Sequence, residues 1–137
     1  MNGFNHFSPT EIVFGCGRIN EIAQLAARYG SRALLVTESM EGPLAPTFAR
    51  IKSLLEDGNI QVEQFDGVIP NPTTDVVTKG ADMAKDFGAQ VVIGVGGGSS
   101  MDTAKAIAVE ATHPGTAWDY NCHTDGPSER TLPIIAV

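Results

Sequence analysis

Cysteine, histidine and basic side chains are all scarce in this 137-residue chain, and each scarcity removes a class of function. Two cysteines, Cys16 and Cys122, far apart in sequence, make no disulfide framework. Nine Lys and Arg against 16 Asp and Glu give a net charge of −7, which argues against nucleic acid or an anionic membrane surface as a partner. No apolar run approaches the roughly 20 residues of a membrane span. The first residues lack a basic stretch followed by an apolar core, so no secretory leader is expected and the cytoplasm is the default location. His6, His113 and His123 show no spacing that builds a metal site on one helix face. Cys16 lies in a Gly-Cys-Gly turn with no base near it in sequence, so no nucleophile is expected there. What is present is 42% apolar and 18% charged residues over a length that suits one globular domain with a real core.

Helix and strand signals alternate along that length. Residues 18–29 place Ile19, Ile22, Leu25 and Ala26 at helical spacing, with Gly30 as the expected stop. Residues 32–37 read as a buried strand. Residues 44–57 put Phe48, Ile51, Leu54 and Leu55 on one helical face and stop at Gly58. Ile60, Val62 and Phe65 read as an alternating strand. A third helix spans 75–87, capped by Thr73 or Thr74 and ended by Gly88. Residues 90–95 form a strand, 100–112 a helix, and 132–137 a final strand. Such alternation predicts an α/β fold: a Rossmann-like, three-layer α/β/α domain with a mostly parallel sheet. Ligands in such sheets bind beyond the carboxyl ends of the strands. Thr37-Glu38, the loop 67–72 and the glycines at 96–98 all fall at such ends.

The run from Val91 to Lys105 carries the chemistry. A β-branched run ends in Gly96-Gly97-Gly98, and a helix-forming run follows on Ser99-Ser100. Glycines let phosphates approach the backbone, and the first N–H groups of the helix point at them with the dipole's positive end. A phosphate-bearing ligand, foremost a nucleotide, is the expectation. Ser99-x-x-Asp102 also reads as a capping pair. Asn71 between two prolines is a natural turn residue, and Glu38 also fits a solvated loop acid. Lys105 reads as a surface or salt-bridging lysine, and Trp118 and Tyr120 as packing anchors.

The segment GGGSSMDTAK at 96–105 resembles the GGGSxxDxAK signature of the iron-containing (group III) alcohol dehydrogenases. The opening Phe7-x-Pro9-Thr10-x-Ile12-x-Phe14-Gly15-x-Gly17 is similar to that family's start. Leu35-Val36-Thr37 with its following acid, Pro70-Asn71-Pro72-Thr73, Trp118-Asp119-Tyr120 and Leu132-Pro133-Ile134-Ile135-Ala136 match in the family's order. The resemblance covers essentially the whole chain and implies an incomplete NAD-binding N-terminal domain over 1–137. The family's helical metal-binding domain, with one aspartate and three histidines for iron or zinc, is absent from these residues.

Position by position, the resemblance implies that Gly97, Gly98 and Ser99 hold the pyrophosphate of NAD. Thr37 and Glu38 lie at the adenosine end, where many members carry aspartate rather than glutamate for the ribose. A carboxylate there repels a 2′-phosphate, which favours NAD over NADP. Asn71 is implied in the cofactor cleft and Asp102 near its nicotinamide end. No catalytic residue and no metal ligand is assigned to this chain. The implied reaction of the full-length enzyme is hydride transfer between a small or primary alcohol or aldehyde and NAD, with the 137 residues alone inactive. Loss of the second domain leaves apolar surface bare, so a homo-oligomer is expected. Other readings stay open: a glycerol dehydrogenase or dehydroquinate synthase relative, a kinase-like phosphate site, or a non-catalytic nucleotide-binding module.

Overall fold

The computed structural model describes residue 3 and residues 8–120, 126–128 and 130–137. His6, Phe7, Cys122 and His123 therefore lie outside the described residues. Four strands form one sheet: β1 (Arg32–Val36), β2 (Gln61–Phe65), β3 (Val91–Gly94) and β4 (Ile134–Ala136), in the order β2-β1-β3-β4. Every pairing is parallel. Leu34 sits beside Glu63 on one flank and Val92 on the other, and Ile93 sits beside Ile135. Helices α1 (Ile22–Ala26), α2 (Ala45–Asp57), α3 (Thr74–Phe87) and α4 (Gly98–Glu110) cover both faces.

Strand β1 is central, and its run Ala33-Leu34-Leu35-Val36 is fully buried, as a parallel strand covered on both faces requires. Alternate residues feed separate cores. Ala33, Leu35, Val91 and Ile93 pack with Ile22 of α1 and with Phe48, Ile51 and Leu55 of α2. Leu34, Val36 and Val92 pack with Val77 and Ala84 of α3 and Ala104 and Ile107 of α4. Burying each large side chain is worth about 1.5–3 kcal/mol. The expected α/β fold with three layers is what forms.

Details differ where periodicity carries too little information. The apolar spacing over 18–29 makes a 3-10 turn, Arg18–Glu21, and then only the five residues of α1. Ile22 and Ala26 are buried as expected, because spacing sets which face is covered rather than the hydrogen-bond type of each turn. Gly30, at φ 151°, lies three residues past the C-cap Ala27 and so is not the C′ stop of α1; it makes room for Gln90, whose side-chain oxygen accepts from the Ser31 N–H at 2.9 Å. After α2 the left-handed residue is Asn59 (φ 62°), not Gly58. Ile60 and Val62 join one core and Phe65 the other, since Phe65 stands three positions after Val62, an odd step in a period-2 element. Helix α3 starts after Thr73 and ends at a left-handed Gly88, as expected.

Candidate anion site at the carboxyl end of the sheet

Strands β1 and β3 are neighbours, but the chain leaves them in opposite directions across the sheet, towards β2 and β4. Such a switch point opens a crevice between the two departing loops. Backbone bonds lace the strand tips together there. Thr37 N–H donates to Phe65 O at 2.9 Å, and Val68 N–H donates to Thr37 O at 3.2 Å. Val95 N–H donates to Val36 O at 2.9 Å, and Gly96 N–H donates to Val137 O at 3.0 Å. All three loops that the sequence places at strand tips leave from this end.

The glycine turn is built from three different needs. A Cβ on Gly94 would lie 2.8 Å from Ala104 Cβ, so the absence of a side chain lets α4 lie close on the sheet. Gly96 has φ of 133°, a backbone conformation closed to most side chains. A Cβ on Gly97 or Gly98 would meet nothing within 4 Å, so these two glycines keep open space above the turn. Helix α4 begins at Gly98 with Gly97 as N-cap. Gly97 O accepts from Ser100 N–H at 3.1 Å and Met101 N–H at 3.2 Å. The N–H groups of Gly97, Gly98 and Ser99 have no acceptor among the described residues. Three free donors therefore meet the helix dipole, equivalent to about half a positive charge. Backbone alone can hold a diphosphate here without a cationic side chain.

The side chains expected at the site fall into two groups. Thr37, Glu38, Gly97, Gly98 and Ser99 lie at the tips of β1 and β3. Thr37 is fully buried, and its Oγ1 accepts from Gln64 Nε2 at 3.1 Å. Glu38, directly after it, is exposed. Asn71 and Asp102 lie farther out. Asn71 is exposed in the loop before α3 with φ of 53°, the left-handed backbone of a turn residue. Asp102 lies further along α4 on its exposed side and accepts from Lys105 Nζ at 3.1 Å, the salt bridge expected of that lysine. The Ser99–Asp102 capping pair does not form: the cap position belongs to Gly97, which has no side chain, and Ser99 is already inside the helix.

Trp118 is 70% exposed and is not the packing anchor expected. Tyr120 is one: its ring lies 4.9 Å from that of buried His113, and its hydroxyl donates to Pro114 O at 2.8 Å. Gln64, which bonds Thr37 at the tip of β1, and Ser100, in the first turn of α4, are polar residues at this end of the sheet that sequence reasoning gave no role. Gln64 is hidden in an edge strand, while Ser100 is signalled only as the second serine of the glycine motif. Among the described residues, no three His, Cys, Asp or Glu side chains cluster as metal ligands would, so the residues present do not fit iron or zinc. A groove of about 820 Å³ lies between residues 9–15, α1 and β4, and its lining reaches Lys105 of α4 and Val137, the residue whose carbonyl accepts from Gly96 N–H.

The family model for iron-containing alcohol dehydrogenases matches residues 9–137. The chain is 34% identical to the NADH-dependent butanol dehydrogenase B of Clostridium acetobutylicum, covering 100% of this chain and 35% of that protein. An archaeal halo-thermophilic alcohol dehydrogenase from a Red Sea brine pool superposes with a TM-score of 0.89 at 35% identity, over 98% of this chain and 36% of its own. The sulfoacetaldehyde reductase of Bifidobacterium kashiwanohense, solved in complex with NAD+, superposes with a TM-score of 0.82 at 26% identity, over 98% and 35%. The chain thus spans about a third of the length of the relatives it matches. It belongs to the iron-containing alcohol dehydrogenase family.

Proposed function

We propose that these 137 residues are the NAD-holding part of an alcohol dehydrogenase that moves hydride between a small alcohol or aldehyde and the cofactor. The observation that carries this reading is the trio of acceptorless N–H groups on Gly97, Gly98 and Ser99, opening into space at the switch point. Family membership and the NADH-dependent relatives support NAD as the ligand. When bound, the nicotinamide supplies the hydride chemistry. This chain's residues bind and orient: the glycine turn takes the diphosphate, Thr37 and Glu38 flank the adenosine ribose, and Asn71 and Asp102 border the cleft. Glu38 discriminates against a 2′-phosphate by like charge.

Iron or zinc, implied by the family, has no ligand set among the described residues, so no step is assigned to a metal here. The chain alone is therefore proposed to bind NAD only weakly and to oxidise no alcohol. It is also proposed to self-associate in the cytoplasm; among the described residues no helix is long and apolar enough to cross a membrane. Calorimetry with NAD+, ADP and adenosine tests the reading, with NAD+ and ADP binding and Gly97→Val abolishing both. Failure of the native chain to bind either nucleotide overturns it. NADH production from 1-propanol or propanediol, after chelation and repurification, overturns the inactivity. A single monomer in sedimentation over a wide concentration range overturns the self-association.

A further inference from the structure

Ser100 is fully buried, yet its hydroxyl has no hydrogen-bond partner among the described residues. Burying a hydroxyl unpaired is unfavourable. The usual remedy on a helix is a bond to the carbonyl four residues back, and the same helix shows it: Thr103 Oγ1 donates to Ser99 O at 2.7 Å. For Ser100 that carbonyl would be Gly96, which lies before the helix begins. Its oxygen instead lies beneath the turn, 2.7 Å from where a Cβ on Gly96 would stand. The missing side chain at 96 thus makes the room that this hydroxyl occupies, on the residue that follows the three acceptorless N–H groups in the chain.

We propose that Ser100 is a further diphosphate-binding residue, its hydroxyl turning about the Cα–Cβ bond to donate to an anionic oxygen held on the glycine turn. This rests on the dinucleotide reading above and adds a side-chain donor to the backbone ones. Staggered wells exist for the turn, and the hydroxyl gives up no protein partner in making it. A hydroxyl without a protein partner in the free chain gains a charged one with ligand present, so its contribution appears as affinity.

Calorimetry and thermal melting of the 137-residue chain, with ADP and with adenosine, test the proposal. Ser100→Ala is expected to weaken ADP about tenfold, the size of a hydrogen bond to a charged group. Adenosine, which lacks phosphate, binds as before, and the ligand-free melting temperature stays level or rises. A purely structural serine would do the opposite, lowering the ligand-free melt and leaving ADP unchanged; that result overturns the proposal. Equal weakening of ADP and adenosine also overturns it. Ser100→Cys keeps the volume with a weaker donor and is expected to fall between native and alanine. If the alanine variant does not fold, ADP affinity of the cysteine variant equal to native overturns the proposal. Failure of the native chain to bind ADP fells the dinucleotide reading itself, whereas native ADP binding that Ser100→Ala leaves intact fells only the role of Ser100.

Discussion

Ile107 fills the space that Gly80 leaves empty, its Cδ1 standing where a side chain on residue 80 would need to be. That fit joins α3 to α4 and so sets the helix that carries the glycine turn. Gly80→Ala is expected to destabilise by about 1–3 kcal/mol through overpacking, despite the better helix propensity of alanine. Ile107→Val removes the offending methyl and alone costs about 0.5–1.5 kcal/mol. The double variant should be more stable than the sum of the two, measured by urea unfolding as a double-mutant cycle.

Gly96 and Gly98 are expected to separate stability from binding. Gly96→Ala forces a side chain into a backbone at φ 133° and against Ser100, and should cost about 1–3 kcal/mol. Gly98→Ala meets no atom within 4 Å and lies in the first turn of α4, so the ligand-free melting temperature should hold or rise. Its methyl nevertheless intrudes on the space above the free N–H groups, and ADP affinity should fall. Equal ADP affinity for Gly98→Ala and the native chain would contradict this placement of the anion.

Glu38 is exposed beside the tip of β1. Glu38→Ser should raise the affinity for NADP+ relative to NAD+ about fivefold, the effect of removing one like-charge repulsion of about 1 kcal/mol in water. Paired titrations at two ionic strengths check it, since the gain should shrink as salt rises.

Arg18 and Glu21 pair across one turn of the 3-10 segment that leads into α1. The Arg18 guanidinium, hydrogen-bonded to Glu21, holds that carboxyl below its usual range. A carboxyl lowered on folding adds stability at pH above its unfolded value and loses that contribution as acid protonates the folded form. Arg18→Ala should move the Glu21 titration back up, followed by carboxyl-carbon NMR. The variant's stability should then depend less on pH across the acid range.

Much of the architecture is legible in residue order alone. The fully apolar runs of β1 and β3, each between helical patterns, specify a parallel sheet covered on both faces. The glycine cluster after β3 marks the candidate site because, among the described residues, no other segment combines a strand end, open glycines and a helix start. What eludes pattern reading is local geometry. Ser99 and Ser100 are indistinguishable as letters, and only the start of α4 at Gly98 decides which one is buried. The Ser99–Asp102 spacing suits a cap, but the helix begins two residues too early to use it. Trp118 has the composition of an anchor, yet its place in the short 3-10 turn Ala117–Tyr120 leaves it mostly in solvent. Phe65 departs from the Ile60 and Val62 face through a count of three in an element of period two.

The strand order carries a consequence for biogenesis. The central strand β1 is made before both of its neighbours: one flank can pair only after β2 is made, and the other must wait for β3 at residues 91–94. Until then β1 carries a bare run of Ala33 to Val36, among the most hydrophobic stretches in the chain. Pairing across such sequence separations is slow. A nascent chain paused before Val91 is therefore expected to leave that run uncovered, and synonymous codon changes between α3 and β3 should alter soluble yield without altering the amino-acid sequence.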